Sequence, residues 1–106
     1  MTAKEIKKDE WKTFFDDFYK TYLQDGQTEY IEIQVLSEEG DQPEVSWSVL
    51  EGISYDPRED MLDIKVEDLN HMIWHPTRIF IEEEDGILAT MEIIESHNTK
   101  YIIELR

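Results

Sequence analysis

Apolar and polar residues alternate along most of the chain after residue 30, and this period of two is typical of strands with one buried face. Each alternating run therefore predicts one strand. The runs lie at residues 31–35, 45–55, 62–66, 79–82, 87–93 and 101–103. Turn residues separate the runs, and together they predict an antiparallel meander of about six strands.

The segment before these runs has the period of a helix. Between Lys8 and Leu23, aromatic residues recur every three or four positions, which places them along one side of a helix. Asp9 and Glu10 carry negative charge where the helix dipole is positive, and Gly26 is suited to ending the helix. The aromatic stripe, which we expect to cover the sheet, consists of Trp11, Phe14, Phe15, Phe18 and Tyr22.

The last third of the chain predicts its own strand pairing. A three-residue loop at 84–86 would place Ile81 opposite Ala89, and would keep the apolar side chains of both strands on one face. A two-residue turn at the same place would mix the faces, so the longer loop is favoured. A second loop at 96–98, with Asn98 at positive φ, continues the sheet. The predicted pairs are Ile79 with Met91, Ile93 with Tyr101, Met91 with Ile103 and, on the other face, Arg78 with Glu92.

The earlier strands can be paired in the same way. Placing Val35 opposite Val45 and Ile33 opposite Trp47 keeps their apolar residues on one face. Gly52 interrupts the alternation and predicts a bulge or bend. The stretch 56–60 contains a proline and predicts the turn into the following strand.

The composition shows no break that would divide the chain, and its 106 residues are enough for a single hydrophobic core. We therefore expect one domain over 1–106, with residues 1–7 as a flexible N-terminus. There is no cysteine, which excludes disulfides and cysteine-based zinc sites. The sequence has neither the apolar core of a signal peptide nor a run of membrane-spanning length, so we expect a cytoplasmic protein.

The net charge is −16 at pH 7, and it is unevenly distributed. Residues 1–20 hold five basic and five acidic residues, so the excess lies in 21–106, which hold five basic and 21 acidic residues. Such a surface repels nucleic acids and anionic lipids, and we expect binding to neither. It is compatible with a basic protein partner, although acidic surfaces also serve solubility.

Four parts of the sequence together have the character of a known family. They are Glu10-Trp11 with Phe14-Phe15-Asp16, Leu50–Tyr55, His71–Pro76 and the two C-terminal hairpins. Over nearly the whole chain these resemble a bacterial family of small domains, the domain-of-unknown-function family numbered 5335. The family has no assigned activity, so the resemblance implies a small folded domain and no particular chemistry. Asn98 stands where the family's last hairpin would carry glycine, a change that suits the same turn.

His71 and His75 form the histidine pair whose spacing suits a metal, because residues four apart share one side of a helix or one face of a strand. A stable site also needs groups that orient the ligands, and the sequence identifies none. Pro76 is expected to hold His75 extended. We therefore predict no resident metal or cofactor, and keep His71 and His75 as candidate ligands of an alternative function.

Adjacent acidic residues occur at Asp16-Asp17, Glu38-Glu39, Glu59-Asp60 and 82–85. General acid–base catalysis needs carboxyl groups placed across a cleft with one of them desolvated. Acids at hairpin tips instead act as solvated ends that discourage aggregation. The sequence contains no glycine-rich phosphate loop and no nucleophile elbow, so an enzyme is the weaker class.

Apolar residues also fall on the sheet face that the helix would not cover. One helix of about sixteen residues is roughly 24 Å long and cannot cover both faces of such a sheet. Either the sheet curls around the helix, or the second face contacts another protein. The residues predicted to form this interface are Trp74, Phe80, Leu88, Ile94 and Ile102, with Leu50 on the same face.

The sequence thus predicts an α+β domain with one N-terminal helix packed on a roughly six-stranded, mainly antiparallel meander sheet. It does not determine the function. The leading hypothesis is a non-catalytic acidic interaction domain that forms a homodimer or binds a protein partner through the outer sheet face. The alternatives are a small metal- or ligand-binding protein using His71 and His75, and an enzyme with an unrecognised carboxylate site.

Overall fold

The structure, a computed structural model, describes residues 3–23, 29–37, 40–67 and 69–106, with the backbone alone at 22–23 and 41–46. The helical region begins with a 3₁₀ turn at Lys8–Glu10, continues as helix α1 at Trp11–Phe18 and ends in a π-helical turn at Tyr19–Leu23. The strands are β1 (Lys4–Ile6), β2 (Tyr30–Ser37), β3 (Gly40–Asp56), β4 (Met61–Val66), β5 (Leu69–Trp74), β6 (Pro76–Glu84), β7 (Ile87–Glu95) and β8 (Lys100–Leu105).

The prediction of an N-terminal helix and a mainly antiparallel sheet is confirmed, although α1 is short and the sheet is large; the six-stranded meander is wrong. Within the described residues, the sheet has eight strands in the order β1-β6-β7-β8-β2-β3-β4-β5. It consists of two meanders, β2 to β5 and β6 to β8, which are joined where β2 pairs with β8. Residues 4–6, expected in a flexible segment, form β1 and pair with β6. The predicted helix end at Gly26 and the side chain of Tyr22 lie outside the described residues.

The sheet is strongly curved, because a single residue connects strands near its two ends. β5 is the last strand of the order and β6 is second from the other end, yet only His75 separates them. His75 turns this corner with a positive φ of 54°. Its N–H donates to the carbonyl of Asp60, and its carbonyl accepts from the N–H of Ser96. The expectation that Pro76 holds His75 extended is therefore wrong, since the corner needs the left-handed conformation.

The hairpin between β6 and β7 differs from the predicted register. Asp85 and Gly86 form a two-residue turn, and both have positive φ (54° and 79°), as in the tight turn that hairpins favour. The mixing of faces that argued against this turn is removed by a bulge at Ala89, which lies between the pairs 83–88 and 82–90. Ile81 therefore lies opposite Met91 and Ile79 opposite Ile93.

The remaining registers follow the prediction in part. In β7 and β8, the pairs Met91–Ile103 and Ile93–Tyr101 are confirmed, and Asn98 has the expected positive φ of 64°. Between β2 and β3 the prediction is wrong: Ile33 lies opposite Val45 and Val35 opposite Gln42, because two irregularities shift the register. The predicted bulge beside Gly52 is confirmed, since the register shifts between Leu50 and Gly52.

The core lies on the concave face of the sheet, under the helix. Trp11 fixes the helix at its start: its indole N–H donates to the carbonyl of Ile6 at 2.9 Å, and its ring meets Tyr55 edge-on at 5.1 Å. The completely buried side chains include Phe15, Ile31, Ile33, Leu62, Ile64, Ile73, Ile79, Met91, Ile93 and Ile103. Burial of this face is the main force that holds the curved sheet and the helix together. Within the described residues, no helix has the length and apolar character needed to cross a bilayer.

Candidate functional site

Three of the predicted interface residues occupy neighbouring strands on the convex face of the sheet. Phe80 lies opposite Glu92, and Glu92 lies opposite Ile102, while Ile94 lies diagonally between them, opposite Arg78. All three apolar side chains are half-buried. Leu88 and Leu50 were also predicted on this face, but both are buried in the core. The bulges beside them change the face to which their side chains point.

Charged side chains of the same domain lie among the apolar residues of this convex face. The Arg78 guanidinium lies 4.8 Å from the centre of the Phe80 ring and pairs with Glu5 on β1 at 2.8 Å. The hydrogen bond from Arg78 holds the pKa of the Glu5 carboxyl below its usual value. Glu92 pairs with Lys100 at 3.1 Å and not with Arg78 as predicted, since Arg78 lies opposite Ile94. The apolar residues of this face are therefore interrupted by ion pairs.

A groove lies between α1 and the edge of the sheet formed by β1 and β6, and we call it the acidic groove. Its volume is about 470 Å³. The helical period directs Phe14 and Phe18 toward the sheet, and the strand period directs residues of β1, β6 and β7 toward the helix. The apolar floor is made by Ile6, Phe14, Phe18, Ile81 and Leu88.

Acidic side chains surround this floor. Asp9, Glu10 and Asp17 come from the helical region and Glu83 from β6. Among the described residues that line the groove, Lys4 is the one basic residue. All of them are exposed to solvent. An apolar floor within a polar rim is the composition of a docking surface, and the excess of carboxylates selects for cationic groups.

A second cluster lies at the corner of the sheet, around Asp60. Its Oδ1 accepts hydrogen bonds from the Tyr55 hydroxyl at 2.6 Å and from Lys8 Nζ at 3.1 Å, and its Oδ2 lies 3.4 Å from His75 Nδ1. Lys8 Nζ also reaches the carbonyl of Pro76 at 3.4 Å. The cluster thereby ties the helix start, the β3–β4 turn and the β5–β6 corner together.

The electrostatics of the Asp60 cluster suit a structural role. Partial burial alone would raise the pKa of Asp60, but the hydrogen bonds from Tyr55, Lys8 and His75 outweigh it and hold the pKa below its usual value. Burial and the hydrogen bond to Asp60 raise the pKa of the Tyr55 hydroxyl. Asp60 stays ionised and is already bonded to three neighbours, so it is poorly placed to transfer protons.

The two predicted histidine ligands take part in different contacts. His75 faces Asp60, whereas the ring of His71 on β5 meets Tyr101 on β8 with 5.5 Å between their centres. Within the described part of the chain, no group of three or more His, Asp or Glu residues is close enough to hold a metal ion. Trp74, also predicted at the interface, lies on β5 at the far edge of the sheet with 48% of its surface exposed.

The acidic groove was not predicted from the sequence, although part of its signal was present. Asp9, Glu10 and Asp17 lie in the predicted helix, and their positions beside Phe14 and Phe18 indicate an acidic flank. The other wall could not be found, because β1 was not recognised as a strand. The contacts of Asp60 also depend on the corner at His75, which brings together residues distant in sequence.

Comparison with known proteins places these features in a family. The model of the family of unknown function DUF5335 matches residues 2–106. An uncharacterized protein from Aquifex aeolicus (strain VF5) is 36% identical over 108 residues, covering 100% of this chain and 94% of the relative. No solved structure shows significant similarity to the chain.

Proposed function

Since the chain belongs to the family of unknown function DUF5335, whose description assigns no activity, we propose its function from the geometry. The domain is a non-catalytic interaction module that binds a segment of a partner protein in the acidic groove. The segment is apolar on one side and positively charged on the other. A cysteine-free, acidic chain suits the cytoplasm, where we place this interaction.

The composition of the groove carries this proposal. Its floor presents apolar side chains, including the half-buried Phe14. Beside them, the described residues of the rim contribute four exposed carboxylates and a single lysine. A basic amphipathic helix satisfies both parts, because its apolar stripe fits the floor while its Lys and Arg side chains reach the rim. The net charge of −16 adds a long-range attraction for such a segment.

The same geometry argues against catalysis in the groove. The rim carboxylates are exposed to water, whereas a carboxyl group that acts as a general acid or base is usually desolvated in a cleft. Exposed carboxylates at a rim contribute selectivity and a faster approach of the partner.

The convex face around Phe80, Ile94 and Ile102 is the second candidate surface. Its apolar side chains are contributed by three adjacent strands, which supports a modest interface. A partner would have to displace Arg78 from the Phe80 ring, or accommodate it there. We therefore rank this face below the acidic groove, and the experiment distinguishes the two.

The test is a selection of peptides displayed on phage, with the intact domain as bait. Asp17→Lys with Glu83→Lys reverses two charges on opposite walls of the groove, and both side chains are exposed, so the fold should be retained. The matched control, Glu51→Lys with Glu67→Lys, makes the same change in net charge at exposed positions that do not line the groove. Ile102→Glu tests the convex face.

The expected result is that wild type enriches peptides with basic residues at helical spacing beside apolar ones. The groove variant should bind these peptides at least about tenfold more weakly, since two close charge pairs become repulsive. The control and Ile102→Glu should bind nearly as wild type does. If Ile102→Glu loses binding and the groove variant keeps it, the peptides bind to the convex face and not to the groove. Equal weakening in the groove variant and its control would leave only a general charge effect, and the groove would be abandoned.

A further inference from the structure

The two edges of the sheet differ in how they are protected. β1, at one edge, is three residues long and carries Lys4 and Glu5, and Glu5 is held in an ion pair with Arg78. β5, at the other edge, is six residues long, and its register with β4 runs without a bulge from Val66–Leu69 to Met61–Trp74. An edge strand without charge, proline or bulge is a template for further pairing.

The composition of β5 also indicates that this edge can pair with another strand. Leu69, Met72 and Trp74 expose 52%, 45% and 48% of their surfaces. The sequence of β5, LNHMIW, has no Asp, Glu, Lys or Arg, and each of the other seven strands has at least one. In a chain with a net charge of −16, like-charge repulsion opposes contact between two copies over most of the surface, and least at an uncharged strand.

We infer that the domain self-associates by antiparallel pairing of β5 with β5 of a second copy, forming a two-fold dimer with a continuous sheet. The register follows from the faces of the strand. Ile73 is completely buried, so the pairing must keep odd residues of both copies on the core side. A two-fold axis at Met72 does so, with Met72 opposite itself and Asn70 opposite Trp74 of the second copy.

This interface is small, and the dimer should be weak. Six residues per copy bury much less than the roughly 1,600 Å² of an ordinary stable interface, so we expect a dissociation constant on the order of 10⁻⁴ M. None of the described residues that line the acidic groove lies on β5, so pairing through β5 leaves the lining of the groove unchanged. The inference is thus independent of the proposed binding function.

Sedimentation of the intact chain over a range of concentrations is the first test. Wild type should shift from monomer to dimer, and more salt should favour the dimer because it screens the negative charge. Met72→Lys should weaken dimerisation at least about tenfold, since it places two like charges at the two-fold axis. Ile87→Lys is the matched control, because Ile87 is 58% exposed in the hairpin at the start of β7. Wild type that stays monomeric at millimolar concentration, or a dimer equally sensitive to both variants, would overturn the inference.

The second test uses the absence of cysteine from the natural chain, which makes single-cysteine variants unambiguous. Across a two-fold axis at residue 72, the two Cα atoms of Met72→Cys would be about 4.5–5.5 Å apart, within the range of a disulfide. The two copies of Asn70→Cys, on the same strand face, would be about 14 Å apart, since a strand rises about 3.4 Å per residue. Under mild oxidation, Met72→Cys should form covalent dimers about tenfold faster than Asn70→Cys, or more. Equal rates would show that this pairing does not occur.

Discussion

Replacing Asp60 with Asn removes the charge at the centre of the corner cluster while leaving its shape nearly unchanged. Asp60 has a positive φ of 52°, a conformation that Asn tolerates as well as Asp does, so the backbone should not respond. The amide oxygen of Asn can still accept the hydrogen bond from Tyr55. What the variant loses is the negative charge that faces Lys8 and His75.

The expected loss of unfolding free energy follows from the three contacts of Asp60. The Tyr55 hydroxyl donates to Asp60 over 2.6 Å, and exchanging an ionised acceptor for a neutral one costs about 1 kcal/mol. Lys8 and His75 are half or more exposed, so their pairs with Asp60 contribute only about 0–1 kcal/mol together. We expect Asp60→Asn to lower the free energy of unfolding by about 1.5 kcal/mol at pH 7.

The pH dependence identifies the charge as the cause. The folded pKa of Asp60 lies below its unfolded value, so its contribution is complete above the unfolded pKa of about 3.9 and is lost as the pH falls through the folded pKa. Urea unfolding of wild type and variant at pH 7, 5, 4 and 3 should therefore give a constant difference down to about pH 5. The difference should shrink below about pH 4.

Glu59→Gln is the control, because it removes the same charge from the neighbouring exposed residue. It should change the free energy of unfolding by less than about 0.5 kcal/mol. A loss in Asp60→Asn that persists unchanged at pH 3 would refute the reasoning, since it could not come from the ionised carboxylate. A loss no larger than that of the control would show that the cluster does not stabilise the corner.

Two further predictions concern the core and the histidines. Phe18→Ala should lower the free energy of unfolding by about 3–5 kcal/mol in urea titrations, because the ring is buried between helix and sheet. A loss below about 1 kcal/mol would contradict the packing of α1. His71 and His75 take part in separate contacts, so zinc or nickel should produce no rise in melting temperature that depends on them. A rise that the double variant His71→Ala, His75→Ala abolishes would support the metal-binding alternative.

The sequence predicts those parts of the fold that depend on local periodicity. The helix over 8–23 and the strands of the two meanders other than β5 follow from apolar spacing. The loop at 96–98 follows from the single register that keeps Met91 and Ile93 on the core face. The β6–β7 hairpin shows where this reasoning ends. Apolar alternation argues against a two-residue turn at Asp85-Gly86, because that turn would mix the faces. The bulge at Ala89 removes this mixing, but it has no composition signal of its own.

The remaining features depend on contacts between distant parts of the chain. β1 is too short to show a period, and β5 has apolar residues on both faces, so neither displays the alternation of a half-buried strand. The acidic groove needs β1 as one wall, and the Asp60 cluster needs the corner at His75. Both sites are therefore products of tertiary structure, although the sequence does place Asp9, Glu10 and Asp17 in the helical segment.

The pairing of β2 with β8, which connects the two meanders, affects how fast the chain folds. Each meander can form from neighbouring hairpins, but β2 and β8 meet through pairs such as Ile31 with Leu105, which are 74 positions apart (105 minus 31). β1 and β6 are joined over a similar span, with Glu5 opposite Phe80, 75 positions apart (80 minus 5). Closing such long loops costs conformational entropy before any burial compensates for it. Folding should therefore occupy milliseconds to seconds, about the range of all-β domains with non-local pairing, despite the helix at the start. During that interval β2 and β6 each present an unpaired edge, and the acidic residues of the chain then act as a kinetic safeguard against association of incompletely folded molecules.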